Sequence, residues 1–467
     1  MSKTTSTENG LKSPAAVALE NFGNDVKIIG LAFAKGDWKT RISYIVMGAG
    51  QILRGQVVKG LAYLAAELLF ILYMVQFGWQ YVSKITTLGT VETQKIHRKT
   101  VYGDNSFLIL LFGILTIILI VMILLLWWMN IRENWVEEQK IKEGRMLPTN
   151  RKTLRSLLDE NFHLTLLSLP VLGIFVFTVL PIIFMVCVAF TNYDKEHQSP
   201  TNLFTWVGLE NFKNLFSFGS NGFGGTFLTV LAWTLVWAFF ATFIDYFLGL
   251  AVAMLINKKG IKFKKLWRTI LVMTIAVPQF VSLLYITKMF ATDGIVNGFL
   301  MSCGWITNPI PFWTDPTLAK VMIILVNIWI GIPYLMLIAT GLLMNIPEDL
   351  YESAKIDGAN PVQMFFHITL PYMLFVTGPF LLTQFTGNLN NFNVIYLLTQ
   401  GKPLSTSLTG NAGNTDLLVT WLYKMTVTDT NYKMAAVIGI MVFIVTAVVS
   451  LVVYNMLPSV KDEEGFQ

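Results

Sequence analysis

The chain has 467 residues, of which 54% are hydrophobic and only 13% are charged, and its mean hydropathy is +0.58. Soluble domains carry about 25% charged residues, so this composition excludes an ordinary soluble globular protein. The net charge of +6 gives no reason to expect nucleic-acid binding, because the basic residues are concentrated in short loops between long apolar blocks.

The apolar blocks predict membrane spans. The clearest one, residues 107–129, contains no charged residue and is long enough to cross a bilayer of about 30 Å. We predict an all-α polytopic membrane protein with about eight transmembrane helices, near residues 57–80, 106–129, 164–190, 226–256, 268–290, 319–344, 372–398 and 434–457.

The segment before the first span is polar and then amphipathic. Its first 26 residues show no pattern of a cleavable signal peptide. Residues 28–55 are amphipathic and predict an interfacial segment. Within it, the glycine-containing stretch 48–55 is predicted to be a flexible turn.

The distribution of Lys and Arg predicts the orientation, because cytoplasmic loops are enriched in both. The loop between spans two and three carries seven basic residues, and the stretch 257–268 between spans four and five carries six. Loops 191–225 and 291–318 carry few, whereas the basic residues of loop 81–105 favour the opposite orientation. The balance predicts that both termini are cytoplasmic.

The chemistry-bearing residue types give no sign of an enzyme. Cys187 and Cys303 are far apart, and the four histidines, His97 among them, lack the spacing of metal ligands. No GxxxxGK[ST] loop occurs. We therefore expect no catalytic residue, no metal and no cofactor, and any ATP that is used must bind to a partner subunit.

The loop between spans six and seven, residues 344–371, predicts two short helices. Pro347 suits a first helical position, and Gly358 suits the left-handed residue that ends a helix. Asn360 and Pro361 then begin a second helix, expected to end at Pro371. The apolar residues Leu350, Ala354, Ile356, Phe365, Phe366 and Ile368 are candidates for burial. From the residues alone, an ordinary capped connector is an equal alternative.

Polar side chains within spans six and seven predict a solute-binding face. Asn327, Ile330, Gly331 and Tyr334 share one face of a helix, and Gln384, Asn388 and Asn391 follow a similar spacing. Amides can match sugar hydroxyls, and aromatic rings can cover the apolar faces of a pyranose. The alternative is that these amides join helices by hydrogen bonds. Glu67 and Asp245, also within spans, are expected to lie outside this face.

The loop at 344–371 resembles the EAA loop of type I, MetI-like, ABC importer permeases. The matching residues are Glu352-Ser353-Ala354, Gly358 and Ile368-Thr369-Leu370-Pro371, with Ser353 in place of the usual alanine. In that family the loop is the coupling helix that seats in a groove of the ATPase subunit. The resemblance implies coupling roles for Glu352, Ser353, Ala354, Asp357, Gly358, Ile368, Leu370 and Pro371.

Residues 226–456 resemble the MalF-type permease subunits of maltose and maltodextrin importers, in stretches such as NLNNFNVIYLLTQGKP and AGNTDLLVTWLYKMT. That branch carries two accessory spans before a six-helix permease core. The implied domains are an N-terminal segment 1–56, accessory spans with a cytoplasmic loop 57–160, the core 161–458 and a cytoplasmic tail 459–467. The implied sugar contacts are Asn327, Ile330, Gly331, Tyr334, Gln384, Gly387, Asn388 and Asn391, of which Gln384 and Gly387 depart from the maltose pattern.

The resemblance implies a permease subunit that imports a neutral oligosaccharide, with maltose or maltodextrin as the leading solute and galacto-oligosaccharides as the alternative. The implied partners are a homologous second permease subunit, two copies of an ATPase subunit, an extracellular sugar-binding lipoprotein and membrane lipid. Loop 191–225 lacks the folded domain of the Gram-negative maltose permease, which favours the cell membrane of a Gram-positive bacterium. Two alternatives of other classes are a proton-coupled secondary transporter and a passive channel or scaffold.

Overall fold

The computed structural model describes residues 27–96, 99–219, 222–258 and 260–456. The first 26 residues of the predicted N-terminal segment, the predicted tail 459–467 and His97 lie outside these ranges. The chain divides into two compact units: one reaches to Cys187 and includes His197–Trp206, and the other comprises Val188–Glu196 and the chain from Val207 onward. The predicted domain boundaries at 56, 160 and 458 stay predictions.

The first unit is mainly helical. Its elements are α1 (residues 27–35), α2 (Trp38–Ile42), α3 (Ala49–Leu53), α4 (Val57–Val82), the antiparallel strands β1 (Gln94–Ile96) and β2 (Lys99–Val101), α5 (Ser106–Lys142), α6 (Asn150–Ser156) and α7 (Phe162–Val188). The side chain of Asn105 starts α5 by accepting a hydrogen bond from the Leu108 N–H at 3.2 Å. With 37 residues, α5 is about 55 Å long and exceeds the apolar thickness of a bilayer.

The segment before α4 packs on the C-terminal half of α5. Trp127 Nε1 donates to the Tyr44 carbonyl at 2.9 Å, and Asn130 Nδ2 donates to the Ser43 carbonyl at 3.0 Å. The prediction of a flexible turn over 48–55 is wrong, because 49–53 form α3 and its Gly50 and Gln51 are buried. A short amphipathic stretch can form a helix when a neighbouring helix covers its apolar and polar groups.

Arg54 is the centre of a buried polar cluster in this unit, with its side chain only 1% exposed. Its guanidinium donates to Asp37 Oδ1 at 2.6 Å, to Asn134 Oδ1 at 2.7 Å and to Thr40 Oγ1 at 2.8 Å. Glu138 Oε2 accepts from the Thr40 hydroxyl at 2.7 Å and lies 3.8 Å from the guanidinium. The cluster therefore fixes α2 and α3 to α5.

The second unit is mainly helical in the part that the structure describes, with one isolated β-bridge between Leu404 and Gly413. Its elements are α8 (Glu210–Leu215), α9 (Gly224–Asn257), α10 (Lys264–Ala276), α11 (Gln279–Met289), α12 (Ile295–Ser302), α13 (Pro316–Leu343), α14 (Glu348–Ile356), α15 (Pro361–Leu389), α16 (Phe392–Leu398), α17 (Leu418–Val427) and α18 (Tyr432–Met456). Helices α9 and α15 contain π-turns at Phe240–Ile244 and Phe365–Thr369.

Helices α9 and α13 carry the core of this unit. One buried cluster includes Trp237 and Ile323 together with Val394 of α16. A second includes Leu250 and Met336 together with the α15 residues Met373 and Leu381. Along α13, the predicted site residues Asn327, Ile330, Gly331 and Tyr334 lie between Ile323 of the first cluster and Met336 of the second.

The described residues contain seven helices that are long and apolar enough to cross a membrane, and an eighth span if the bent pair α10 and α11 counts as one. The expected number of about eight spans and the all-α fold class are confirmed. The span predicted near 268–290 corresponds to the bent pair α10 and α11, which meet at 89°. Pro278 lacks an N–H and restricts Val277 to an extended conformation, which ends α10 at Ala276.

The prediction of one span over 372–398 is wrong in its bounds. Helix α15 begins at Pro361, continues through Pro371 and ends at Leu389, so no helix ends at Leu370-Pro371. The wider π-turn just before Pro371 accommodates the residue that lacks an N–H. Asn391 then starts α16 by accepting from the Val394 N–H at 3.2 Å.

Candidate functional site

The four predicted site residues of α13 become more exposed to solvent along the helix, from Asn327 to Tyr334. Asn327 is buried, Ile330 and Gly331 are half-buried, and Tyr334 is 48% exposed. Ile330 packs against the core cluster that contains Trp237. The predicted face therefore exists as one helix face, but only its Tyr334 end is open in this conformation.

Asp245 of α9 lies directly against this face. Its Oδ2 accepts a hydrogen bond from Asn327 Nδ2 at 2.8 Å. A Cβ added to Gly331 would lie 2.2 Å from the same oxygen, so the glycine makes room for the carboxylate. The expectation that Asp245 lies outside the predicted face is wrong. Its partner is 82 residues away in the chain and can be found only from the packing of α9 on α13.

Glu67, the other acid predicted within a span, has a different setting. Its Oε2 accepts from the backbone N–H of Met47 at 2.8 Å. This hydrogen bond ties α4 to the segment between α2 and α3 in the first unit. Glu67 therefore makes a local contact to the backbone, whereas Asp245 contacts a predicted site residue.

The predicted residues of α15 surround the end of that helix. Asn388 Nδ2 donates to the Ala241 carbonyl and to Thr242 Oγ1, both at 3.0 Å. The Asn388 carbonyl accepts from Trp237 Nε1 at 3.1 Å. Asn391 caps α16 and donates to Asn388 Oδ1 at 3.4 Å. The alternative interpretation, amides that join helices, thus describes Asn327 and Asn388 in this conformation, and their sugar contacts stay a prediction.

The remaining two positions of α15 are more open. Gln384 is half-buried, and Gly387 is exposed with no atom within 4 Å of an added Cβ. The space beside Gly387 could hold a larger side chain or part of a ligand. Gln384 and Gly387 are the two positions at which the sequence departs from the maltose pattern.

One segment of α9, residues 241–245, accepts hydrogen bonds from both Asn327 and Asn388. Ala241 and Thr242 accept from Asn388, and Asp245 accepts from Asn327. The segment overlaps the π-turn Phe240–Ile244, and such turns occur frequently at functional sites. The sequence offered one signal for it, an acid within an apolar span, but no signal for its partners.

The predicted coupling segment forms a surface helix followed by a sharp turn. Pro347 precedes α14 rather than beginning it, because its ψ of 132° is extended. Gly358 has a φ of +82°, which confirms the predicted left-handed residue. Asn360 and Gln363 then form a reciprocal capping box at the start of α15.

Four of the eight predicted coupling residues line a cleft of about 380 Å³. The cleft is lined by Ala354, Asp357, Gly358, Ala359, Gln363, Met364, His367 and Ile368. Glu352, Ser353 and Pro371 are exposed, and Leu370 is half-buried. The expectation that Leu350, Ile356 and Phe366 are buried is wrong within this chain, since their exposed fractions are 49%, 86% and 56%.

A buried acid stabilises the segment between α16 and α17. Asp416 is fully buried and pairs with the Lys424 ammonium. Its carboxylate also accepts from the Gly413 N–H at 2.7 Å and from the Thr420 hydroxyl at 2.9 Å. Burial raises the pKa of Asp416, and the Lys424 charge and these hydrogen bonds oppose that rise.

Comparison with known proteins places the chain in a family. The profile described as "Binding-protein-dependent transport system inner membrane component" matches residues 245–462. The galactooligosaccharides transport system permease protein GanP of Bacillus subtilis (strain 168) is 35% identical over 421 residues, which cover 90% of this chain and 97% of GanP. The maltodextrin transport system permease protein MdxF of the same strain is 35% identical over 437 residues, which cover 91% of this chain and 97% of MdxF.

A solved structure is similar in fold. It is the bacterial ABC transporter involved in the import of the acidic polysaccharide alginate, with a TM-score of 0.52 and 22% identity, and the match covers 66% of this chain and 99% of that chain. At this identity the likeness concerns the fold alone. Together with the family profile and the two full-length relatives, it agrees with the helical architecture described above. The chain belongs to the family of inner-membrane permease components of binding-protein-dependent transport systems.

Proposed function

We propose that this chain is the translocating subunit of an ATP-driven importer for a neutral oligosaccharide. Maltodextrin is the leading solute and galacto-oligosaccharides are the alternative, because relatives that align over more than nine-tenths of their own length are named for these two classes. The composition of the predicted face, which is made of amides, glycines and Tyr334, suits a solute rich in hydroxyl groups.

The observation that carries the proposal is the surface form of α14 and its cleft. Leu350 and Ile356 are apolar and exposed, and the cleft of about 380 Å³ lies beside Gly358. Exposed apolar side chains next to a shaped cleft favour contact with another protein. We infer that this partner is the ATPase subunit, which binds the ATP.

The proposed complex contains this chain, a homologous second permease subunit and two ATPase subunits, with an extracellular sugar-binding lipoprotein that delivers the solute. Both termini are proposed to be cytoplasmic, in the cell membrane of a Gram-positive bacterium. The basic loops between the spans support this orientation.

The proposed mechanism is alternating access. ATP binding closes the ATPase dimer and moves the two coupling helices together, which opens the pathway to the outside. Hydrolysis then returns the pathway to the inward state. Uphill transport requires that ATP stabilises the inward and outward states to different extents. In this chain, α14 and Gly358 are the part on which the closing ATPase dimer acts.

The test is uptake of radiolabelled oligosaccharides by proteoliposomes that contain the whole complex and the binding protein. We expect uptake that needs ATP, and we expect Gly358→Pro to abolish it. Uptake that continues without ATP and follows a pH gradient would overturn the proposal in favour of a proton-coupled transporter. Competition among maltodextrins, galacto-oligosaccharides and raffinose-type sugars, for wild type and Asn388→Ala, identifies the solute.

A further inference from the structure

Asp245 and Asn327 form a buried pair whose chemistry fixes one orientation of the amide. Asp245 is 2% exposed and accepts the Asn327 Nδ2 hydrogen bond at 2.8 Å. A carboxylate oxygen only accepts, so Asn327 must turn its NH₂ group toward α9. The Asn327 carbonyl oxygen, on the other side of the planar amide, is thereby turned away from Asp245.

An amide at position 245 would not impose this orientation. Asn can donate or accept, so an Asn–Asn pair has two arrangements in which one hydrogen bond forms. Thr at this position has the same ambiguity, since a hydroxyl both donates and accepts. An ionised carboxylate at position 245 makes the direction of the Asn327 amide unique, because it has no hydrogen to donate.

A purely structural hydrogen bond would not need a carboxylate here. Asp245 Oδ1 is buried and accepts no hydrogen bond from the described residues. Burying an acid within a membrane span costs more free energy than burying an uncharged polar group. Because uncharged polar pairs also join membrane helices, a helix–helix contact at this place does not require an acid. In addition, Gly331 must lack a side chain for the carboxylate to lie where it does.

We propose that Asp245 is a positioning residue of the solute site, which holds the Asn327 amide with its carbonyl oxygen available to accept a hydroxyl hydrogen of a neutral sugar. The inference rests on the proposed function, because it assigns Asn327 to solute recognition. Asn388 also donates its NH₂ group to this segment, to Ala241 O and Thr242 Oγ1, although its own Oδ1 accepts from Asn391 Nδ2 at 3.4 Å. The 241–245 segment of α9 thus fixes the direction in which both amides point their NH₂ groups.

The experiment measures equilibrium binding of radiolabelled maltotriose to the assembled complex in nanodiscs, without the binding protein, whose own affinity would dominate uptake kinetics. The variants are Asp245→Asn, Asn327→Asp and the swap Asp245→Asn/Asn327→Asp. Glu67→Gln is the matched control, because Glu67 is also an acid in a membrane helix but accepts from the Met47 backbone.

We expect Asp245→Asn to weaken maltotriose binding about tenfold, the effect of losing one well-placed hydrogen bond, whereas Glu67→Gln leaves it unchanged. The swap restores a carboxylate–amide pair, so it is expected to recover the thermal stability of wild type but not its affinity. Unchanged binding in Asp245→Asn, or wild-type affinity in the swap, would overturn the inference and leave Asp245 as a helix–helix contact. If the single variant Asp245→Asn does not fold, wild-type affinity in the swap still overturns the inference.

A separate measurement keeps the two proposals apart. ATP-dependent uptake of the same sugar by the wild-type complex tests the proposed function. If wild type takes up no oligosaccharide, the proposed function has failed. If wild type transports it and Asp245→Asn binds it as tightly as wild type, only the positioning role has failed.

Discussion

Tyr351 Oη of α14 lies 2.8 Å from Thr369 Oγ1 of α15. Thr369 is buried, and α15 carries Gln384 about four turns and Asn388 about five turns further along. We therefore expect a displacement of α14 by a partner to reach the helix that bears three of the eight predicted solute contacts. The hydrogen bond offers a direct test of this mechanical link.

Tyr351→Phe removes the link with little change in shape. We expect ATP-driven uptake to fall by up to about fivefold, the effect of losing a neutral hydrogen bond of about 1 kcal/mol, while the amount of folded complex stays the same. Tyr285→Phe is the matched control, since Tyr285 is exposed. Equal uptake by the two variants would contradict a role of this hydrogen bond in coupling.

Gly358 tests the shape of the coupling segment. An added Cβ would meet no atom within 4 Å, so Gly358→Ala acts through the backbone alone, where a φ of +82° is unfavourable for alanine. The expected cost is about 1–2 kcal/mol, visible as reduced stimulation of ATP hydrolysis by the loaded binding protein. Gly341→Ala in α13, which also has open space around it, is the control and should behave like wild type.

The number of spans could be predicted because the thickness of the bilayer sets a minimum apolar length, and residues 107–129 meet it without reference to any neighbour. Helix ends are less determined. The bend after Ala276 follows from Pro278, a local signal, whereas the end of α15 at Leu389 depends on Asn391 capping a new helix. Apolar character continues across that break, so hydropathy could not locate it.

The candidate site also has features that the local sequence predicts and features that depend on helix packing. Helical spacing placed Asn327 and Gly331 on one face, since both belong to α13. Their contact with Asp245 spans 82 residues and arises from helix packing. The Arg54 cluster in the first unit likewise joins residues up to 101 positions apart, and no local pattern in the sequence specifies such pairs.

Arg54→Ala is expected to destabilise the first unit strongly. The substitution leaves Asp37 without its cation and removes the donor to Thr40 and Asn134, whereas Glu138 keeps its ion pair with Lys142. Losing one member of a buried ionic cluster typically costs about 3–5 kcal/mol. The measurement is the midpoint of thermal unfolding in detergent. Arg145→Ala provides the control, because Arg145 is exposed and its ion pair among the described residues is with its near neighbour Glu143. Similar midpoints for both variants would show that the cluster contributes little.

Gly401 and Gly304 separate the effect of backbone conformation from that of space. Both have positive φ, +79° and +72°. A Cβ at Gly401 would lie 2.0 Å from Asp416 Oδ1, whereas a Cβ at Gly304 would meet no atom within 4 Å. Gly304→Ala should cost about 1 kcal/mol, and Gly401→Ala should cost clearly more. The comparison uses thermal unfolding, and equal shifts would mean that Asp416 moves aside freely.

The raised pKa of Asp416 predicts how stability depends on pH. Because the folded protein binds this proton more tightly than the unfolded chain, the stabilising contribution of the carboxyl is complete below the ordinary aspartate pKa of about 3.9 and is lost as the pH rises through the raised value. Asp416→Asn cannot titrate and lacks this loss. Wild type should therefore lose more stability than Asp416→Asn between about pH 4 and about pH 8.

Thermal unfolding of both proteins across this range measures the difference, and the exposed Asp293→Asn supplies a matched comparison for the change of one charge. The sign of the change in the stability difference between wild type and Asp416→Asn as the pH rises is what decides. If the ion pair with Lys424 outweighed the cost of burial, the pKa would be lowered and wild type would gain stability over Asp416→Asn as the pH rises. Parallel curves for wild type and Asp416→Asn would mean that burial and the Lys424 charge cancel.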